Sequence, residues 1–114
     1  MSFRSEEKGK FTLVQVLEKR GTLAIAQEFK NSMIDLIGSG SNKVLFDLSG
    51  VDFVDSTFLG ALVLSHKKAV EMKGAACFYG LQKSVKATFQ ITMLDKKLTI
   101  FNTLEEAEQY LNNL

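Results

Sequence analysis

The sequence predicts an α/β domain with a mixed, mostly parallel sheet and alternating helices. Three observations predict it. Apolar residues switch repeatedly between a strand-like and a helix-like period along the chain. The run Val44–Leu48 is apolar except for Asp47, as expected of a central strand buried on both faces. Thr103-Leu104-Glu105-Glu106 has the form of a capping box, which places the start of a last helix. Strands alternating with helices imply parallel pairing through crossover connections. A length of 114 residues fits one domain over 1–114, with no linker or internal repeat.

Taken in order, residues 3–7 offer a short edge strand and Gly9-Lys10 a turn. Phe11–Leu17 is rich in β-branched and aromatic residues and reads as a strand. Glu18–Gly21 reads as a charged connector. Ala26, Phe29, Met33 and Ile37 then recur at helical spacing, predicting a helix over 24–38 that the loop Gly38-Ser39-Gly40-Ser41-Asn42 ends. After the 44–48 strand comes the stretch around which the chain is organised, Val51–Leu64, with a helix over 57–72. Lys67, Lys68 and Lys73 before Gly74 are its stop signal. Ala75–Gly80 reads as a strand of small residues. Val85, Phe89 and Met93 predict a helix over 82–94, and Leu98–Phe101 predicts a short strand. Leu104, Ala107, Leu111 and Leu114 stripe the last helix.

Composition narrows the function. A net charge of +1 gives no electrostatic case for nucleic acid or an anionic membrane. No apolar run approaches the roughly 18 residues of a membrane span. Met1 is followed by polar and charged residues, so no secretory signal is expected. The single Cys77 excludes an intrachain disulfide and suits a reducing compartment; a cytoplasmic protein is expected.

The chemistry on offer is sparse. His66 is the only histidine and has no Cys or second His near it in sequence, so neither zinc nor a Ser-His pair is predicted. Gly38–Ser41 follows a helix and precedes a strand, the wrong context for a phosphate-binding loop. Asp47, Asp52 and Asp55 form an acidic face, with no Lys or Arg between Lys43 and Lys67. A receiver-like phospho-acceptor cluster needs an acidic pair after the first strand, where Glu18 stands alone. A solvated turn with one aspartate helping to cap the next helix accounts for them better. No enzyme, metal or cofactor is predicted. Ser56 remains, at the mouth of a helix. Its ordinary role is an N-cap. Its context adds more, because residues 58–64 are apolar or glycine on every face and need either full burial or a partner.

The run Lys43–Val51 followed by Asp52-Phe53-Val54-Asp55-Ser56-Thr57-Phe58-Leu59-Gly60-Ala61-Leu62 resembles the signature of the STAS domain family, anti-sigma factor antagonist type. Those proteins carry D-S-[ST]-G-L-G after an apolar strand. The likeness continues through Lys73-Gly74, Cys77-Phe78, the helix of Val85 and Phe89, and Leu104–Ala107. The resemblance implies a phospho-switched binding protein that is itself no enzyme. In its unphosphorylated form it sequesters an anti-sigma factor that is also a serine kinase, and so regulates transcription. A serine phosphatase resets it. The acceptor would be Ser56, with Thr57 second. Asp52, Asp55, Ser56, Thr57, Phe58, Leu59 and Leu62 would form the partner surface.

Two positions depart from the family pattern. Phe58 stands where the motif has glycine, which predicts either a larger partner surface or a change in which partner fits. Lys19-Arg20-Gly21-Thr22-Leu23 stands where a glycine and an aspartate are usual. The alternative reading is a STAS subunit docking constitutively on the ATPase of a lipid transporter through the same apolar helix. That helix is also a candidate surface for a homodimer.

Overall fold

The computed structural model describes residues 2–114. Its main sheet has five strands in the order β1-β2-β4-β6-β7. These are β1 (Phe3–Glu7), β2 (Thr12–Val16), β4 (Lys43–Asp47), β6 (Ala75–Tyr79) and β7 (Ile100–Phe101). β1 runs antiparallel to β2; the other pairs are parallel. The helices are α1 (Leu23–Gly38), α2 (Ser56–Glu71), α3 (Lys83–Ile91) and α4 (Leu104–Asn112). The mixed, mostly parallel α/β fold predicted from periodicity is the fold observed.

Strand order explains the layers. From β2 onward each new parallel strand is added on the same side of its predecessor. Right-handed crossovers then place all three connecting helices on one face. The register of β4 shows the consequence. Val44 and Phe46 point into the core shared with α1, α2 and α3, whereas Leu45 faces Phe11, Cys77, Ala107 and Leu111 beneath α4. The larger core is a chain of phenylalanine rings. Phe58 meets Phe29 at 5.2 Å, Phe29 meets Phe46 at 6.1 Å, Phe46 stacks on Phe78 at 5.1 Å, and Phe78 meets Phe89 at 6.3 Å. Edge-on and offset contacts at such spacings are favourable beyond simple burial. Cys77 lies in the smaller core, where burial pushes its thiol up to about 12, consistent with inert packing.

Three local readings need correction. Glu18–Gly21 is not only a connector: Arg20–Gly21 forms a strand, β3, paired in parallel with β5 (Phe53–Val54) in a separate two-stranded sheet. The residue that turns left-handed after α2 is Lys73 (φ 63), not Gly74. The third helix stops at Ile91, because Met93 reverses into the left-handed region (φ 62) before a 3₁₀ turn over Leu94–Lys96. The predicted capping box is present in part: Thr103 Oγ1 accepts from the Glu106 amide at 3.2 Å and donates to the Glu106 carboxylate at 3.1 Å.

Candidate functional site

The stretch Val51–Leu64 runs from the end of β4 through β5 into α2, beside the junction of β3 with α1. Two short connections become one rigid corner there. Asp52 N–H donates to the Lys19 carbonyl at 2.8 Å, and Asp55 N–H donates to the Gly21 carbonyl at 2.9 Å. The Asp55 carboxylate completes the corner. Oδ1 accepts from the Phe58 amide at 2.8 Å, and Oδ2 accepts from the Leu23 amide at 2.8 Å. One side chain thus satisfies an orphan donor on α2 and another on α1. The Phe58 amide, opposed in part by desolvation and helped by the Leu23 amide, holds the Asp55 carboxyl below its ordinary value of 3.8.

This geometry reassigns the sequence-predicted residues. The N-cap of α2 is Asp55, and Ser56 is the first residue inside the helix. Ser56 is exposed, with its hydroxyl free of capping duty. Thr57 and Asp52 are exposed beside it. Phe58, Leu59 and Leu62 are not surface residues: they are 0%, 4% and 0% exposed. The expectation that Phe58 enlarges the partner surface is therefore corrected. Its ring points inward, against Phe29 and over Gly21. A Cβ at Gly21 would lie 2.5 Å from the Phe58 ring, so the departure at 58 and the glycine at 21 fit one another.

The local acidity read along 43–67 is also altered in space. Pairing of β3 with β5 lays the Arg20 guanidinium over the Phe53 ring, 4.2 Å from its centroid. A cation distant in sequence therefore borders the acidic loop. Asp47 is occupied locally, its Oδ1 accepting from the Ser49 amide at 2.9 Å. Among the described residues no three His, Cys, Asp or Glu side chains come together as a metal site, and no helix is long and apolar enough to cross a membrane.

Beyond Ser56 and Thr57, the exposed face of α2 includes residues that the sequence did not single out. Gly60 and Leu64 are exposed, Leu64 at 43%. Across from them on α1, Leu23 is 70% exposed. Together with Thr57 and Ala61 they border a groove of about 240 Å³ between the two helices. Helical spacing from Thr57 through Gly60 to Leu64 carries a signal for this face, but the apolar character of 58–64 on all sides conceals it.

His66, further along α2, has a buried Nδ1 with no hydrogen-bond partner, and burial lowers its pKa below 6.5. A histidine depressed in the folded state contributes stability above pH 6.5 that is lost as pH falls through the folded value. The melting temperature is expected to decline from pH 7.5 to pH 5.5, and His66→Gln is expected to flatten that decline. An unchanged slope in the variant would assign the effect elsewhere.

A family model for the STAS domain matches residues 10–107. The chain belongs to the STAS domain family. An anti-sigma factor antagonist homologue from Thermotoga neapolitana, so named, is 32% identical to this STAS chain over 83 residues, 72% of this chain and 74% of that one. The crystal structure of a protein from Thermotoga maritima, named as an anti-sigma factor antagonist, superposes with a TM-score of 0.86 at 24% identity, covering 96% of this chain and 94% of that one. The Bacillus cell fate determinant SpoIIAA in its phosphorylated form superposes with a TM-score of 0.73 at 14% identity, covering 96% and 98%. At these identities the two structures carry the fold; the family rests on the model match and the Thermotoga neapolitana relative.

Proposed function

We propose that this STAS domain is a phospho-switched anti-sigma factor antagonist with Ser56 as its acceptor. The unphosphorylated chain binds an anti-sigma factor that is also a serine kinase, and a serine phosphatase returns it to that form. The observation that carries the reading is the division of labour at the head of α2. Asp55 caps the helix, so the Ser56 hydroxyl is both exposed and uncommitted. Thr57, one position on, is also exposed and is the second choice. The family and the name of the Thermotoga neapolitana relative support the partner class. The test is treatment with an anti-sigma factor kinase and ATP, followed by peptide mass mapping. Phosphate on Ser56, absent from Ser56→Ala, supports the reading. Phosphate on an aspartate, or none in the parent chain, overturns it.

The physical effect of the phosphate follows from its position. It adds about −1.5 to −2 charge at pH 7. At the first turn of a helix the macrodipole receives negative charge favourably, while Asp55 beside it opposes the same charge. These effects offset one another, so the fold is retained and the change acts outward on the partner. The phosphorylated chain is expected to melt within about 4 °C of the parent, corresponding to about 1 kcal/mol in a domain of this size, and to bind the kinase at least tenfold more weakly. A collapse of the melting temperature with binding would instead place the switch in unfolding of α2.

A further inference from the structure

β1 is the long open edge of the main sheet. The other edge strand, β7, has two residues against five. Among the described residues no strand pairs with the outer side of β1, and Arg4, Ser5, Glu6 and Glu7 are exposed along it. An open edge of this kind is a template for another strand. The backbone groups it offers follow from its pairing with β2. The register joins Phe3 to Val16 and Glu7 to Thr12. Just beyond the strand ends, Leu17 N–H donates to the Ser2 carbonyl and Lys8 N–H donates to the Phe11 carbonyl, each at 2.8 Å. Antiparallel pairs alternate between bonded and non-bonded, so Ser2, Arg4, Glu6 and Lys8 direct their backbone groups to β2. Phe3, Ser5 and Glu7 turn theirs outward. Phe3 and Leu36, both half-buried, also border an open depression of about 480 Å³ between this edge and α1.

We infer that β1 pairs antiparallel with β1 of a second copy, about a two-fold axis at Ser5, and joins two sheets into one. The outward groups allow registers that differ by two residues, and charge chooses among them. Centred on Ser5, each Ser5 meets its own copy, Phe3 meets Glu7, and Arg4 stands directly opposite Glu6 on both sides of the axis. A centre at Arg4 would oppose two arginines, and a centre at Glu6 two glutamates. Opposite charges directly across a strand pair stabilise it, and like charges destabilise it. Charged residues on an edge commonly guard against pairing. That guard works by repulsion, whereas the order Arg4-Ser5-Glu6 is complementary to itself. Arg4 and Glu6 would occupy non-bonded pairs, where side chains come closest. Within the chain Arg4 donates to Gln15 at 2.6 Å and Glu6 meets Lys8 at 3.2 Å. Both contacts lie at the surface and exchange at little cost. An axis perpendicular to the sheet keeps Phe3 and Leu36 of both copies on one face, where each copy covers the other's depression. Neither α2 nor the loop before it belongs to this edge, so the inference stands apart from the function proposed above.

Sedimentation of the full chain over a concentration series tests the pairing, and a reversible monomer–dimer equilibrium is expected. Ser5→Pro removes an outward donor that β2 does not use, in an edge strand where proline is tolerated. It is expected to weaken the dimer at least tenfold with the circular dichroism spectrum unchanged. Arg4→Glu alone and Glu6→Arg alone each put like charges opposite one another across the axis, and each is expected to be monomeric. An equal mixture of those two variants is expected to form a heterodimer, because every acid then meets a base. Arg4→Glu with Glu6→Arg in one chain is expected to restore self-pairing. Recovery by mixing is a result that misfolded variants cannot give. A parent chain that stays monomeric at every concentration would overturn the inference. So would a dimer that survives Ser5→Pro and both charge variants, since its contact would lie elsewhere, as on α2. A mixture that stays monomeric would overturn the register and the charge argument for a second copy.

Discussion

Phe58→Ala is expected to be the most damaging single substitution on α2, costing about 3–5 kcal/mol by analogy with other buried aromatic truncations. The ring is wholly buried and stands at the end of the phenylalanine chain that links α2 to α1 and the sheet. Its removal takes away the transfer term and leaves a cavity that rigid neighbours fill poorly. Restoring the motif's glycine at this position adds a helix penalty of about 1 kcal/mol. Urea unfolding of parent and variant measures the difference, provided that the slopes agree. The smaller change Phe58→Leu preserves the fold and is expected to leave partner affinity unaltered. An affinity change in a stably folded Phe58→Leu chain would return the residue to the partner surface.

Gly21 provides the internal control on that argument. Gly21→Ala places a methyl against the Phe58 ring and is expected to cost about 1–3 kcal/mol, the usual range for overpacking. In the Phe58→Ala background the same methyl enters vacated space, so the two costs are expected not to add. A coupling energy near zero in the double-mutant cycle would show that the glycine serves the backbone rather than the ring.

The sequence was most legible where one residue's surroundings repeat along the chain. Ala26, Phe29, Met33 and Ile37 mark the buried stripe of α1, and all four are in the core. Thr103 marks the start of α4 through a cap three residues wide. Val44–Leu48 reads as buried because it is covered on both faces. Legibility failed where the cause lies far along the chain. β3 and β5 have two residues each, too short for any period, and pair across 33 positions. The direction of the Phe58 side chain depends on Gly21, and a helix apolar on every side does not announce which side is buried. The exposed hydroxyl of Ser56 was legible from the Asp-Ser pair, and so was an aspartate helping to cap α2; what the sequence left open was whether Ser56 shares that duty, and the cap is made by Asp55. The difference matters, because a capping serine has its oxygen committed to an amide and a serine beside the cap does not.

Asp55→Ala is expected to cost about 2 kcal/mol, since capping side chains contribute about 1 kcal/mol each and this one serves two helices. In a domain of this size that corresponds to a fall in melting temperature on the order of 8 °C. Asp55→Asn keeps one oxygen acceptor and is expected to lose about half as much. Ser56→Ala, by contrast, is expected to stay within about 0.5 kcal/mol of the parent, as a surface substitution that removes no cap. A loss in Ser56→Ala as large as that in Asp55→Ala would return the cap to serine and remove the reason for regarding its hydroxyl as free. The acid limb of the stability curve supplies a second reading of the same carboxylate. Its pKa is depressed in the folded state, so its contribution is fully present above the ordinary value of 3.8 and is lost as pH falls through the folded value. The gap between the parent and Asp55→Asn should therefore narrow on acidification below about pH 4. If the gap is constant with pH, the staple between Leu23 and Phe58 depends on an oxygen atom and not on its charge.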